Sequence, residues 1–137
     1  MGNSGRLLKV SRYTLEPATC GLAVVREFLK VTLTPFPLAQ PHVHDVLSAT
    51  HEACKNAIEH NPGVEHPVEV TCKMFADAVV VEVSDKGAGF DPGVLPPPPP
   101  DPVAPAGRGL FLICSLLDNV DIDTGRNGTR VTMSKRF

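Results

Sequence analysis

A chain of 137 residues that is 42% apolar, with a net charge of −2, has the size and balance of one soluble globular domain with a substantial core. Its 13 basic residues stand against 15 acidic ones, which argues against a direct nucleic-acid partner. No apolar run approaches the ~18 residues that span a bilayer, and "MGNSGRLLKV" has neither a secretory apolar core nor, with Arg6 in place of Ser or Thr, a myristoylation pattern. Cys20, Cys54, Cys72 and Cys114 are widely spaced with no C-x-x-C pair. They read as reduced core thiols of a cytoplasmic protein rather than as zinc ligands or a disulfide framework.

In chain order, Leu7 to Thr14 reads as a first strand. Pro17 opens a helical pattern carried by Leu22, Val25, Phe28 and Leu29. The segment "TPFPLAQP" breaks it, and a second helix enters behind Pro41 and runs from Val43 to Glu59. Two alternating runs, "VEVTCKMF" and "AVVVEVSD", predict an antiparallel hairpin with one apolar and one polar face. After a proline-rich stretch, "GLFLICSLLD" opens at Gly109 as a short, almost uniformly apolar and therefore buried helix. The strands "NVDID" and "GTRVTMSK" close the chain around the turn "TGRNG". The order predicts a two-layer α/β sandwich, its sheet mostly antiparallel with the helices on one face, forming one domain over residues 1–137.

Three patterns carry chemistry. On the second helix, in "HEACKNAIEH", Glu52 and Asn56 are four apart and project from nearly the same face. An amide oxygen is a hard ligand suited to Mg²⁺ and a nearby carboxylate can act as general base, although polar residues on a helix are equally a solvated face. At the end of a strand, "VSDKGAGF" places Asp85 before Gly87 and Gly89. The carboxylate can accept a hydrogen bond from an exocyclic amine while the glycines let a ligand approach the backbone; a plain turn has the same pattern. Gly107, Arg108, Gly109 and Leu110 stand immediately before a helix. Backbone N–H groups and the positive helix end can cradle phosphate there, with Arg108 adding a charge-assisted contact. A glycine hinge explains the same residues. The chain lacks a Walker A sequence and a kinase H-R-D loop.

In this order the patterns resemble the N, G1 and G2 boxes of the GHKL superfamily, the Bergerat-fold ATPases that include bacterial histidine kinases, DNA gyrase and mismatch-repair ATPases. Within it, "EACKNAIEH", "VSDKGAGFDP" and "GRGLFLICSLLDNVDI" are similar to the anti-sigma regulatory factors that act as serine/threonine protein kinases. The resemblance covers the chain from roughly residue 10 to its end. It implies Asn56 as the Mg²⁺ ligand, Glu52 as the catalytic base and Asp85 as the adenine-binding aspartate. It also implies that Gly87 and Gly89 shape the adenine pocket, that Gly107, Arg108, Gly109 and Leu110 lie near the phosphates, and that Thr129 supports the adenine contact.

By the same resemblance the chain uses ATP and Mg²⁺ and forms a homodimer. It binds a sigma factor and phosphorylates an anti-sigma-factor antagonist. The alternative is an ATP-binding regulatory module that sequesters a sigma factor or other partner with little or no phosphotransfer. The departure from the family lies between Asp91 and Ala106, which hold eight of the fourteen prolines, five of them consecutive. Polyproline rises ~3.1 Å per residue, so this stretch reads as a stiffened ATP lid, within a lid spanning about residues 86–107. One helix and one hairpin beyond it are too little for a second core.

Overall fold

Alternation along the strands decides the sheet. In a computed structural model, which describes residues 5–15, 21–59, 67–87, 93, 95–97 and 109–137, five strands pair antiparallel throughout: β1 (Leu7–Leu15), β2 (Val68–Phe75), β3 (Ala78–Asp85), β4 (Asn119–Gly125) and β5 (Gly128–Arg136). Their order across the sheet is β1-β2-β3-β5-β4. Because successive side chains point to opposite faces, the registers align apolar rows on one side. Cys72, Val81, Met133 and Val120 form one row, and Val70, Val83, Val131 and Ile122 the next. The opposite side carries Thr71, Glu82, Thr132 and Asp121, with Lys73 donating to Glu82 at 3.0 Å. A slip of one residue would turn both apolar rows to water, so burial fixes the register. Ala78 and Val80, on the polar side of central β3, are buried as well, Val80 between Lys73 and Ser134.

The helices α1 (Leu22–Leu33), α2 (Gln40–Glu59) and α3 (Gly109–Leu116) pack on the apolar face. From α1, Val25, Leu29, Thr32 and Leu33 are buried, the spacing of one helical face. The helix stops as Thr34 Oγ1 donates to the Lys30 carbonyl at 2.6 Å and Pro35 follows. The expected opening near Pro17 lies outside the described residues. α2 begins at Gln40, earlier than its spacing predicts, so Pro41 sits inside its first turn. Proline is tolerated there because first-turn N–H groups have no acceptor within the helix.

α3 departs further from expectation. It is short, and among its residues only Ile113 is buried, while Leu112 is 40% exposed. The cause is position: α3 packs on α2 and the start of β4, at the margin of the helix layer, and one face is left uncovered. Lys135 holds its end by donating to the Leu116 carbonyl at 2.8 Å and pairing with Asp45 of α2 at 3.1 Å. Cys54 and Cys72 lie in the core as free thiols, Cys114 is half-buried, and Cys20 lies outside the described residues. Among the described residues no helix is long and apolar enough to cross a membrane.

Candidate active site

The apolar rows of the sheet run out at one end. One step beyond Val83, Val131 and Ile122 on the same face come Asp85, Thr129 and Thr124, in register with one another. Period two turns all three toward the helices. Thr129 is buried, and its hydroxyl lies 2.8 Å from that of Thr124. Asp85 is held by its own turn: the Gly87 N–H donates to Asp85 Oδ1 at 2.8 Å. One carboxylate oxygen is thereby fixed, and among the described residues no hydrogen bond takes the other.

α2 supplies the facing wall. Ala53 and Ala57 are buried against the sheet, and their small side chains leave a crevice that Asn56 also lines. Asp85, Thr129 and, from α3, Leu110 and Ile113 complete it. One turn before Asn56 on α2, Glu52 keeps a side chain 17% exposed, with only a loose contact to Lys55 at 3.9 Å. The two side chains meet the first residue of α3. A Cβ at Gly109 would lie 3.0 Å from both Asn56 Nδ2 and Glu52 Oε2. Glycine at this position lets the backbone of α3 reach the pair.

Glu52, Asn56, Asp85, Gly87, Gly109, Leu110 and Thr129 are thus drawn into one neighbourhood from four elements and a turn. Gly89, Gly107 and Arg108, and most of the expected lid, lie outside the described residues. Thr124 is absent from the sequence-derived set. Thr124 follows from the tight turn "TGRNG", because a two-residue hairpin places it opposite Thr129. Gly128 has φ of +129°, and a Cβ there would strike the Asp85 carbonyl oxygen.

The donor set is oxygen-rich. Asn56 and Glu52 offer an amide oxygen and a carboxylate within reach of one helix N-terminus, hard donors of the kind Mg²⁺ shares with phosphates. Among the described residues the crevice between Asn56, Asp85 and Leu110 is narrow, about 10 Å³, close to the room of a single water. A purine therefore needs the walls to part.

A helix layer thus lies on an antiparallel sheet, with Asn56 of α2 facing Asp85 at the end of β3 across the crevice. Residues 15–135 match the Histidine kinase-like ATPase domain family, and the chain belongs to that family. Among its relatives is the serine-protein kinase RsbW of Bacillus velezensis, 31% identical over 130 residues that cover 88% of this chain and 79% of the relative. RsbW of Bacillus subtilis is 28% identical over 124 residues, covering 83% and 77%. The fold is similar to a crystal structure of the RsbU and RsbW domains of a Mycobacterium tuberculosis protein, with a TM-score of 0.72 at 20% identity over 94% of this chain. The chain spans about a third of that structure's length (32%). A histidine kinase domain from Erythrobacter litoralis aligns with a TM-score of 0.57 at 14% identity, covering 96% of this chain and 70% of its own.

Proposed function

We propose that the chain is an ATP-dependent serine/threonine protein kinase and anti-sigma factor. It phosphorylates an anti-sigma-factor antagonist and regulates sigma-dependent transcription, acting as one domain over residues 1–137 and as a homodimer. The observation that carries this reading is the convergence of Asn56, Asp85 and Thr129 on one crevice, with Glu52 beside Asn56 at Gly109, in a chain similar to proteins named serine-protein kinases. The exposed Leu7, Leu8 and Val10 on edge strand β1 support self-association, since an uncovered apolar edge invites pairing.

The residues divide the work. The second carboxylate oxygen of Asp85 accepts from the exocyclic amine of adenine, while the Gly87 N–H keeps the group oriented. Thr129, braced by Thr124, backs that contact. Mg²⁺, held by Asn56 Oδ1 beside the phosphates, would neutralise their charge. Glu52 takes the proton from the serine or threonine hydroxyl as its oxygen attacks the γ-phosphorus. The bond from that phosphorus to the β–γ bridging oxygen breaks, and ADP leaves with the electron pair. Positioning and charge supply most of the acceleration in such transfers.

A second reading, a module that sequesters a sigma factor or other partner with little or no phosphotransfer, draws on the narrow crevice. Capture of partners from native cells with γ-³²P-labelled Mg·ATP separates the two. The kinase reading expects label on serine or threonine of a captured protein. Glu52→Ala is expected to lower transfer at least about 100-fold, in the range of general-base removal, with ATP binding kept. Sigma-factor capture without label supports the second reading, and full transfer by Glu52→Ala removes Glu52 from its role.

A further inference from the structure

A separate cavity of about 420 Å³ lies between the C-terminal turns of α1 and the N-terminal turns of α2. It shares no lining residue with the nucleotide crevice, and its volume falls within the ~300–1,000 Å³ of small-molecule sites. Leu33, Leu47, Phe36 and Leu38 give it an apolar lining, the first two fully buried in the core beneath. Arg26 and Lys30 stand one turn apart on α1 and face His44 and Gln40, one turn apart on α2. None of the described lining residues is acidic.

The nearby carboxylates do not neutralise this mouth. Asp45, next to His44, pairs with Lys135 at 3.1 Å. Glu27 follows Arg26 directly and stands three residues before Lys30, within helical reach. Yet among the described residues no ion pair joins Arg26 or Lys30 to Glu27 or to any other acid. In a chain of net charge −2, this is a local concentration of cation over apolar surface. A guanidinium and an ammonium one turn apart favour an anionic head, through charge-assisted hydrogen bonds. The lining favours a compact hydrocarbon or aromatic body.

We propose that this cavity binds an amphiphilic anion, a small molecule with one carboxylate or phosphate head and an apolar body. The head lies between Arg26 and Lys30, with His44 and Gln40 as further N–H donors, and the body rests on the half-buried Phe36, Leu38 and Val43, with Leu33 and Leu47 beneath. The proposal is independent of the kinase reading, because it uses no residue of the nucleotide crevice.

The test is a titration of the full chain with sodium octanoate or monooctyl phosphate below their micelle concentrations, read by backbone amide NMR, with octanol as the uncharged control. Saturable shifts centred on the end of α1 and the start of α2 are expected, with an anion bound at least about 10-fold more tightly than octanol. The response of one anion over the other identifies the head group. Arg26→Gln/Lys30→Gln, a change confined to the mouth, is expected to weaken binding at least about 10-fold with an unchanged melting temperature. Equal affinity for octanol, unaltered binding by the double variant, non-saturating shifts, or shifts centred on Asn56 and Asp85 would each overturn the proposal.

Discussion

At Gly128 the start of β5 presses on the end of β3. An alanine Cβ there would strike the Asp85 carbonyl oxygen and come 2.9 Å from Lys86 Cα, on a backbone whose φ of +129° side chains rarely adopt. Gly128→Ala is expected to cost at least about 2 kcal/mol, from strain plus displaced backbone; a urea-unfolding midpoint equal to that of the parent would contradict this. The core thiols set a second expectation. Burial pushes Cys54 and Cys72 from the ordinary 9.0 to about 12. The unfolded chain releases these protons from about pH 9, whereas the folded chain holds them toward pH 12. Their contribution is therefore intact below pH 9 and falls between pH 9 and 12, on the order of 1 kcal/mol per pH unit for each thiol. Urea midpoints at pH 8, 9.5 and 10.5 are expected to fall less steeply in Cys54→Ala/Cys72→Ala; parallel slopes would contradict it. At this scale residue type and spacing made Glu52, Asn56 and Asp85 candidates only, and the family resemblance supplied their expected roles. Thr124 and the closeness of Gly128 to Asp85 depend on strand register, which no single residue announces.

Among the elements, α3 is the one its own sequence misdescribes. Uniform apolarity predicts a buried helix, yet its place at the layer margin buries Ile113 alone. Neighbours decide burial, and they lie far away along the chain. The consequence is functional, because α3 is the wall of the crevice with the least packing to lose. Opening room for a purine is least costly by moving Leu110 and Ile113 away from Ala53 and Ala57. Hydrogen exchange is expected to show α3 amides exchanging faster than those of α2 and β3 without nucleotide, and slowing when Mg·ATP binds. Exchange in α3 as slow as in β3, with no response to ATP, would place the opening elsewhere. The hairpins and α2 were legible because their periodicity is unmixed. Pro41 misled by a few residues, since a proline before a helix and one inside its first turn look alike in sequence.

Across the whole molecule, the order of strands and helices already implied a helix layer on a largely antiparallel sheet, and the five-stranded arrangement agrees. What the order could not convey is how the sheet and α2 divide the labour. The apolar rows hold the layers together and end where Asp85 and Thr129 begin, while α2 presents Asn56 at that same end. Its opposite end, at Gln40 and His44, lines the amphiphile cavity. The proline-rich stretch belongs to the account through its flanks: Asp85 and Gly87 on one side, Gly109 and Leu110 on the other, close on the same crevice. The claim that unites these features is that the crevice takes ATP through Asp85. Isothermal titration of Mg·ATP into the parent chain and into Asp85→Asn tests it most directly. Saturable binding to the parent, weakened at least about 10-fold by Asp85→Asn, the loss expected for a buried charged hydrogen bond, is the result predicted; no binding to the parent, or equal binding to both, would contradict it.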